Sequence, residues 1–102
     1  MTQRRARIDI PLERIEDFCR RHHIRRLALF GSVLRDDFTP ESDVDVLVEF
    51  EPGQTPGWSF FSMEDELAGI LGRRVDLNTA QSLSKYFRDE VLAEAEELYV
   101  AA

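Results

Sequence analysis

Apolar positions recur first at helical spacing, then in alternation, then at helical spacing again. Leu12, Ile15, Phe18 and Cys19 follow a three-to-four repeat behind Pro11, a residue suited to a first helical turn. The spacing predicts an amphipathic helix over residues 11–23, closed by His22 and His23. "RRLALFGS" is a short apolar run that ends in Gly-Ser, which predicts a strand entering a turn. "DVDVLVEF" alternates: Val44, Val46, Val48 and Phe50 leave one face, and Asp43, Asp45, Leu47 and Glu49 the other. "EPGQTPG" is a loop by its proline and glycine content. Residues 59–71 predict a second helix with Phe60, Met63, Leu67, Ile70 and Leu71 as its buried stripe and Gly72 as its stop. "RRVDLNT" predicts a third short strand. "SLSKYFRDEVLAEAEELY" predicts a closing helix, broken near Ser84, with Phe87, Val91, Ala95 and Leu98 inward.

The resulting order is helix, strand, strand, helix, strand, helix. It predicts an α/β fold: a short mixed sheet of three to four strands with helices packed mainly on one face. The 102 residues suffice for one domain, expected to span 1–102. With 43% hydrophobic and 32% charged residues, the chain is expected to fold rather than stay disordered. No apolar run approaches the roughly 20 residues of a membrane span. The start "MTQRRARIDIPLERIEDF" lacks the apolar core of a signal peptide, so a cytoplasmic protein is expected. The single Cys19 excludes an internal disulfide, and its place on the apolar side of the first helix makes it a small buried hydrophobe. His22 and His23 suit a helix C-terminus as favourable cations. No Cys or second His pair lies nearby in sequence to make them a zinc site.

Charge changes the picture by its distribution. The net charge is −7, yet residues 1–35 carry nine arginines against four acids, and residues 36–102 carry four bases against 16 acids. The acidic total argues against direct nucleic-acid binding, which calls for a basic surface. The basic third suits an acidic partner, a nucleotide's phosphates, or simply a solvated helix face.

Candidate chemistry concentrates in "FGSVLRDDFTPESDVDVLVEF". Asp43 and Asp45 sit two apart on a strand, so their carboxylates leave one face and can share a hard cation such as Mg²⁺. Asp76, flanked by Val75 and Leu77 in the third strand, can project toward the same place. Three carboxylates on one sheet face suit two ions about 3.5–4 Å apart. Gly31 allows close backbone approach, and a helical turn starting at Ser32 would present free N–H groups to a phosphate. Arg35 adds a charge-assisted contact. Alone, a Gly-Ser is usually a turn and an Asp-x-Asp often a solvated strand face. Together, at ten residues' separation, they arise by chance at about 10⁻³ across a chain of this composition.

At these residues the chain resembles the nucleotidyltransferase superfamily that includes DNA polymerase beta. The family pattern is Gly-Ser, ten residues, Asp-x-Asp, and a third carboxylate on a later strand. Here it reads Gly31-Ser32, "VLRDDFTPES", Asp43-Val44-Asp45, then Asp76 in "RVDLNT". The match is to the small stand-alone members, the minimal nucleotidyltransferases or MntA-like antitoxins, and covers nearly the whole chain. The resemblance implies that Asp43, Asp45 and Asp76 hold two Mg²⁺ ions and form the catalytic set, with Asp76 assisting deprotonation of the acceptor hydroxyl. It implies that Gly31 and Ser32 hold the phosphates of ATP, with Arg35 and Ser42 as further nucleotide contacts. It also implies a HEPN-domain toxin as partner, silenced by transfer of AMP to a tyrosine, with oligomerisation inside a toxin complex left open. Two alternatives stand beside this: an antitoxin that acts by complex formation alone, and a nucleotidyltransferase for a small molecule or an RNA end. Many relatives have glycine where this chain has Asp36, which adds negative charge beside the phosphate turn.

Overall fold

The computed structural model describes residues 8–35, 38–83 and 88–101. Helix α1 (Leu12–Arg21) opens the fold and is followed by β1 (Ile24–Phe30), a 3-10 turn (Gly31–Leu34) and β2 (Val44–Phe50). Helix α2 (Ser59–Leu71), β3 (Val75–Thr79), a second 3-10 turn (Ala80–Ser82), α3 (Arg88–Glu94) and β4 (Glu96–Val100) complete it. The sheet order is β3-β2-β1-β4. β1 runs antiparallel to β2 and β4, and β2 runs parallel to β3 across the connection through α2, so the sheet is mixed.

The apolar stripes predicted for the first two helices find partners, except that Leu12 stays exposed. Ile15, Phe18 and Cys19 of α1 and Met63, Leu67 and Ile70 of α2 cover one sheet face, meeting Leu27, Leu29, Val44, Val46, Val48, Val75 and Leu77. Burial is the main stabilising term here. Cys19 is sealed in this layer, and that burial pushes its thiol up to about 12. Gly72 ends α2 in the left-handed conformation at φ +67°, its N–H returning to the Ala68 carbonyl. At the end of α1, the His22 ring lies tilted against Phe18 and its Nε2 lies 2.8 Å from Glu66 Oε1 of α2. Arg21 Nη2 reaches the other oxygen of Glu66 at 2.5 Å. The hydrogen bond from Arg21 holds the Glu66 carboxyl below its ordinary value, against partial burial and with help from His22.

The closing segment departs from the expected helix. Helicity stops at Glu94, and Glu96–Val100 pairs along the free edge of β1, with Leu29 opposite Glu96 and Leu27 opposite Tyr99. The reason is tertiary. β1 is buried from Leu27 to Phe30, so its edge amides need partners, and the ladder to β4 supplies them. Tyr99 and Val100 are good strand formers. Arg26 ties the edge on by pairing with Glu97 at 2.6 Å. The expected inward stripe is thereby divided: Leu98 joins the main core, while Val91 and Ala95 pack with Leu92 on the other sheet face against Phe30, Leu47 and Leu83. Two helices therefore cover one face and the short α3 part of the other. Phe87 and the expected break near Ser84 lie outside the described residues, as do Asp36 and Asp37. Among the described residues no helix is long and apolar enough to cross a membrane.

Candidate active site

The register of the sheet builds the site. Phe30 lies opposite Asp45 in the antiparallel ladder, and Asp45 lies opposite Asp76 in the parallel one. The last residue of β1, the Asp-x-Asp strand and the third carboxylate thus form one row across three strands. Asp45 takes its place because its neighbours Val44 and Val46 are fully buried toward the helices, which turns its side chain to the opposite face.

Gly31 follows Phe30 and turns the chain at φ +77° into the 3-10 turn. A Cβ on Gly31 would collide with Asp45 Oδ2 and stand 3.2 Å from its Cγ. Glycine is required here twice, for the left-handed backbone and for the space it leaves beside the carboxylate. What approaches the Gly31 backbone closely is a side chain of the protein itself.

Asp45 is half-buried, and its pKa is pushed up to about 6. Loss of solvent is the largest cause, followed by the negative charges of Asp76 and Asp43 and a side-chain hydrogen bond with Asp76. Arg35 acts in the opposite sense, so its guanidinium is electrostatically within reach. The expected residues Asp43, Asp45, Asp76, Gly31 and Arg35 therefore do converge. They do not stand as a closed ligand set: among the described residues no three Asp, Glu, His or Cys side chains are gathered closely enough to hold a metal. Asp43 is exposed and paired through Oδ1 with Arg74 Nε at 3.1 Å. Three ionised carboxylates at ligand distance repel strongly. Here one is raised in pKa and another is matched by a guanidinium.

The donor chemistry of these residues is that of a divalent hard cation. The donors are all carboxylate oxygens, the type Mg²⁺ prefers. Asp45 is held beside two like charges in a cradle that a Cβ at position 31 would fill, and a cation relieves that repulsion.

Arg35 and Ser42 have other partners as well. Arg35 Nη2 meets Glu94 Oε2 of α3 at 3.4 Å, both exposed. Ser42 is engaged within its own turn: Oγ accepts from Thr39 N at 3.1 Å and lies 3.1 Å from Thr39 Oγ1. Sequence reasoning missed two residues. Arg74 pairs with Asp43, and Glu64 Oε2 of α2 accepts the Leu77 N–H at 2.9 Å, closing the sheet edge next to Asp76. The adjacent arginines in "RRVDLNT" were a signal for the first, but only the register Val44 opposite Val75 brings Arg74 to Asp43.

The nucleotidyltransferase domain family matches residues 12–98. The protein adenylyltransferase MntA of Thermococcus cleftensis is 35% identical over 94 residues, which is 83% of this chain and 93% of that one. A solved structure of a candidate minimal nucleotidyltransferase is 38% identical, with a TM-score of 0.69 over 83% of this chain and 86% of the other. A complex of tri-AMPylated Shewanella oneidensis HEPN toxin with MNT antitoxin aligns at 22% identity and a TM-score of 0.64, over 88% of this chain and 70% of that one, a likeness of fold. The matched stretch runs from α1 into β4 and includes every candidate residue above, and the chain belongs to the nucleotidyltransferase domain family.

Proposed function

We propose that the protein is a Mg²⁺-dependent protein adenylyltransferase that moves AMP from ATP to a tyrosine hydroxyl of a HEPN toxin and so acts as its antitoxin. The observation that carries this reading is the lodging of Asp45 between the Gly31 backbone and Asp76, which puts the phosphate turn beside the carboxylates. The adenylyl donor and the toxin partner rest on similarity to the Thermococcus enzyme, with the Shewanella complex as an analogy of fold.

In this reading Asp43, Asp45 and Asp76 would hold Mg²⁺, which when bound would neutralise phosphate charge and ease ionisation of the acceptor hydroxyl. Gly31 and Ser32 offer backbone N–H groups at the start of the 3-10 turn to the triphosphate. Arg35 leaves its exposed partner Glu94 and adds a charge-assisted contact. Ser42 contributes by shaping the 39–42 turn that leads into Asp43. The tyrosine oxygen attacks the α-phosphorus in line, the Pα–O bond to the β-phosphate breaks, and pyrophosphate departs. Asp76, the exposed member of the row, takes the phenolic proton and passes it to water. Positioning and charge neutralisation supply the acceleration.

The test is incubation with labelled ATP, Mg²⁺ and a cognate HEPN toxin. Label is expected on the toxin, and neither D43N nor D45N should transfer it. Absence of transfer, or transfer indifferent to D45N, rejects the reading. Protection of cells by D45N would point instead to neutralisation by complex formation alone.

A further inference from the structure

The candidate carboxylates differ in how they are held. Asp45 and Asp76 lie within the β2–β3 ladder, whereas Asp43 precedes β2 and its side chain is 53% exposed. Left to itself, an exposed aspartate beside two like charges would turn away from them. Arg74 opposes that freedom at two points. Its Nε pairs with Asp43 Oδ1 at 3.1 Å, and its Nη2 donates to the Glu41 carbonyl. The backbones are joined as well, since Val44 N donates to Arg74 O at 2.9 Å. Next to it, the Arg73 guanidinium lies 5.2 Å from the Phe38 ring centroid, so the neighbouring arginine engages an aromatic ring and not Asp43.

We propose that Arg74 is a positioning residue for Asp43: its Nε fixes Oδ1 and leaves Oδ2 as the oxygen offered to the divalent ion. The inference rests on the metal-site reading above and adds a residue to it. A planar fork that bonds a backbone carbonyl with one arm and a carboxylate with another sets an orientation that a single point charge cannot. Loss of an outer partner of this kind weakens metal affinity by about 10–100-fold. The Arg74 side chain is 72% exposed, so the pair adds little to folding and its effect falls on ion binding. The sign is diagnostic. Arg74 is itself a cation, so if it acted through charge alone its removal would tighten a divalent ion.

Mn²⁺ is titrated calorimetrically into the full chain without nucleotide, for wild type, D45N, R74Q, R74K and R73Q. R74Q is expected to bind about tenfold more weakly, at the near end of that range. R74K should fall between R74Q and wild type. R73Q, which removes the same charge without touching Asp43, should bind as wild type or more tightly. In AMP transfer, R74Q should move the Mg²⁺ midpoint upward and reach the wild-type plateau at saturating Mg²⁺. Equal or tighter binding by R74Q, or equal weakening by R73Q, overturns the inference. Failure of wild type to bind, or binding unaffected by D45N, overturns the metal-site reading instead.

Discussion

Asp45→Asn should stabilise the protein while abolishing its proposed activity. The wild-type carboxylate is held where its charge is disfavoured, and its pKa rises from 3.8 to about 6. At full strength that difference is worth about 3 kcal/mol. The group is half-buried rather than sealed, so solvent screening reduces the figure to about 1–1.5 kcal/mol. The amide introduced by D45N is neutral and can donate to Asp76, which an ionised carboxylate cannot. Because the folded pKa lies above the unfolded one, the folded state binds the proton more tightly. The Asp45 carboxyl therefore costs the wild type least below about pH 4, and that cost grows as pH rises toward 6. The advantage of D45N should thus be small near pH 4 and full at pH 7.5. Thermal melts in the presence of a chelator test this, with an expected gap at pH 7.5 of about 5 °C or more. Added Mg²⁺ should narrow the gap, since only the wild type gains from the ion. A D45N melting point at or below wild type at pH 7.5, or a gap that does not change with pH, would refute the reasoning.

Gly31→Ala should lower stability by about 2 kcal/mol or more, from the left-handed backbone and the collision with Asp45 Oδ2. In denaturant titrations the double variant G31A/D45A should cost less than the two single changes added together, because the second change removes the colliding oxygen. Cys19, fully buried with its thiol at about 12, should resist a thiol reagent at pH 8 and react at the rate of global unfolding; fast labelling of the native protein would contradict its sealed position. Glu66→Gln should remove stability that is present near neutral pH and lost as acid protonates the native carboxyl below its ordinary 4.5, because Arg21 and His22 favour the ionised form. Urea melts at pH 7 should separate E66Q from wild type, and the separation should shrink as pH is taken below 4.5.

The elements most legible in the sequence were those fixed by local chemistry. Residues 59–71 gave α2 to its limits because an apolar stripe runs uninterrupted into Gly72, which only a left-handed stop explains. The alternation of "DVDVLVEF" assigned the faces of β2 correctly, since the period-two facing of side chains is a property of the strand alone. Where a distant partner decided the outcome, the local pattern misled. Glu96–Val100 matches a helical stripe through Leu98, yet the unpaired edge of β1 makes it a strand. The Arg74–Asp43 pair was equally hidden, because 31 positions of chain separate two residues that the parallel register brings together. The Gly-Ser and Asp-x-Asp motif lies between these cases. Its spacing can be read from the sequence, but the reason for that spacing cannot. Phe30 pairs with Asp45, so the chain must leave β1 at Gly31, cross to the next strand and return in register within the residues between. Shifting that pairing by one residue would turn Asp45 toward the helices and put Val44 or Val46 beside Gly31. The ten-residue gap is therefore a constraint on topology. It holds a carboxylate against a glycine backbone, and the raised pKa of Asp45 is the electrostatic consequence.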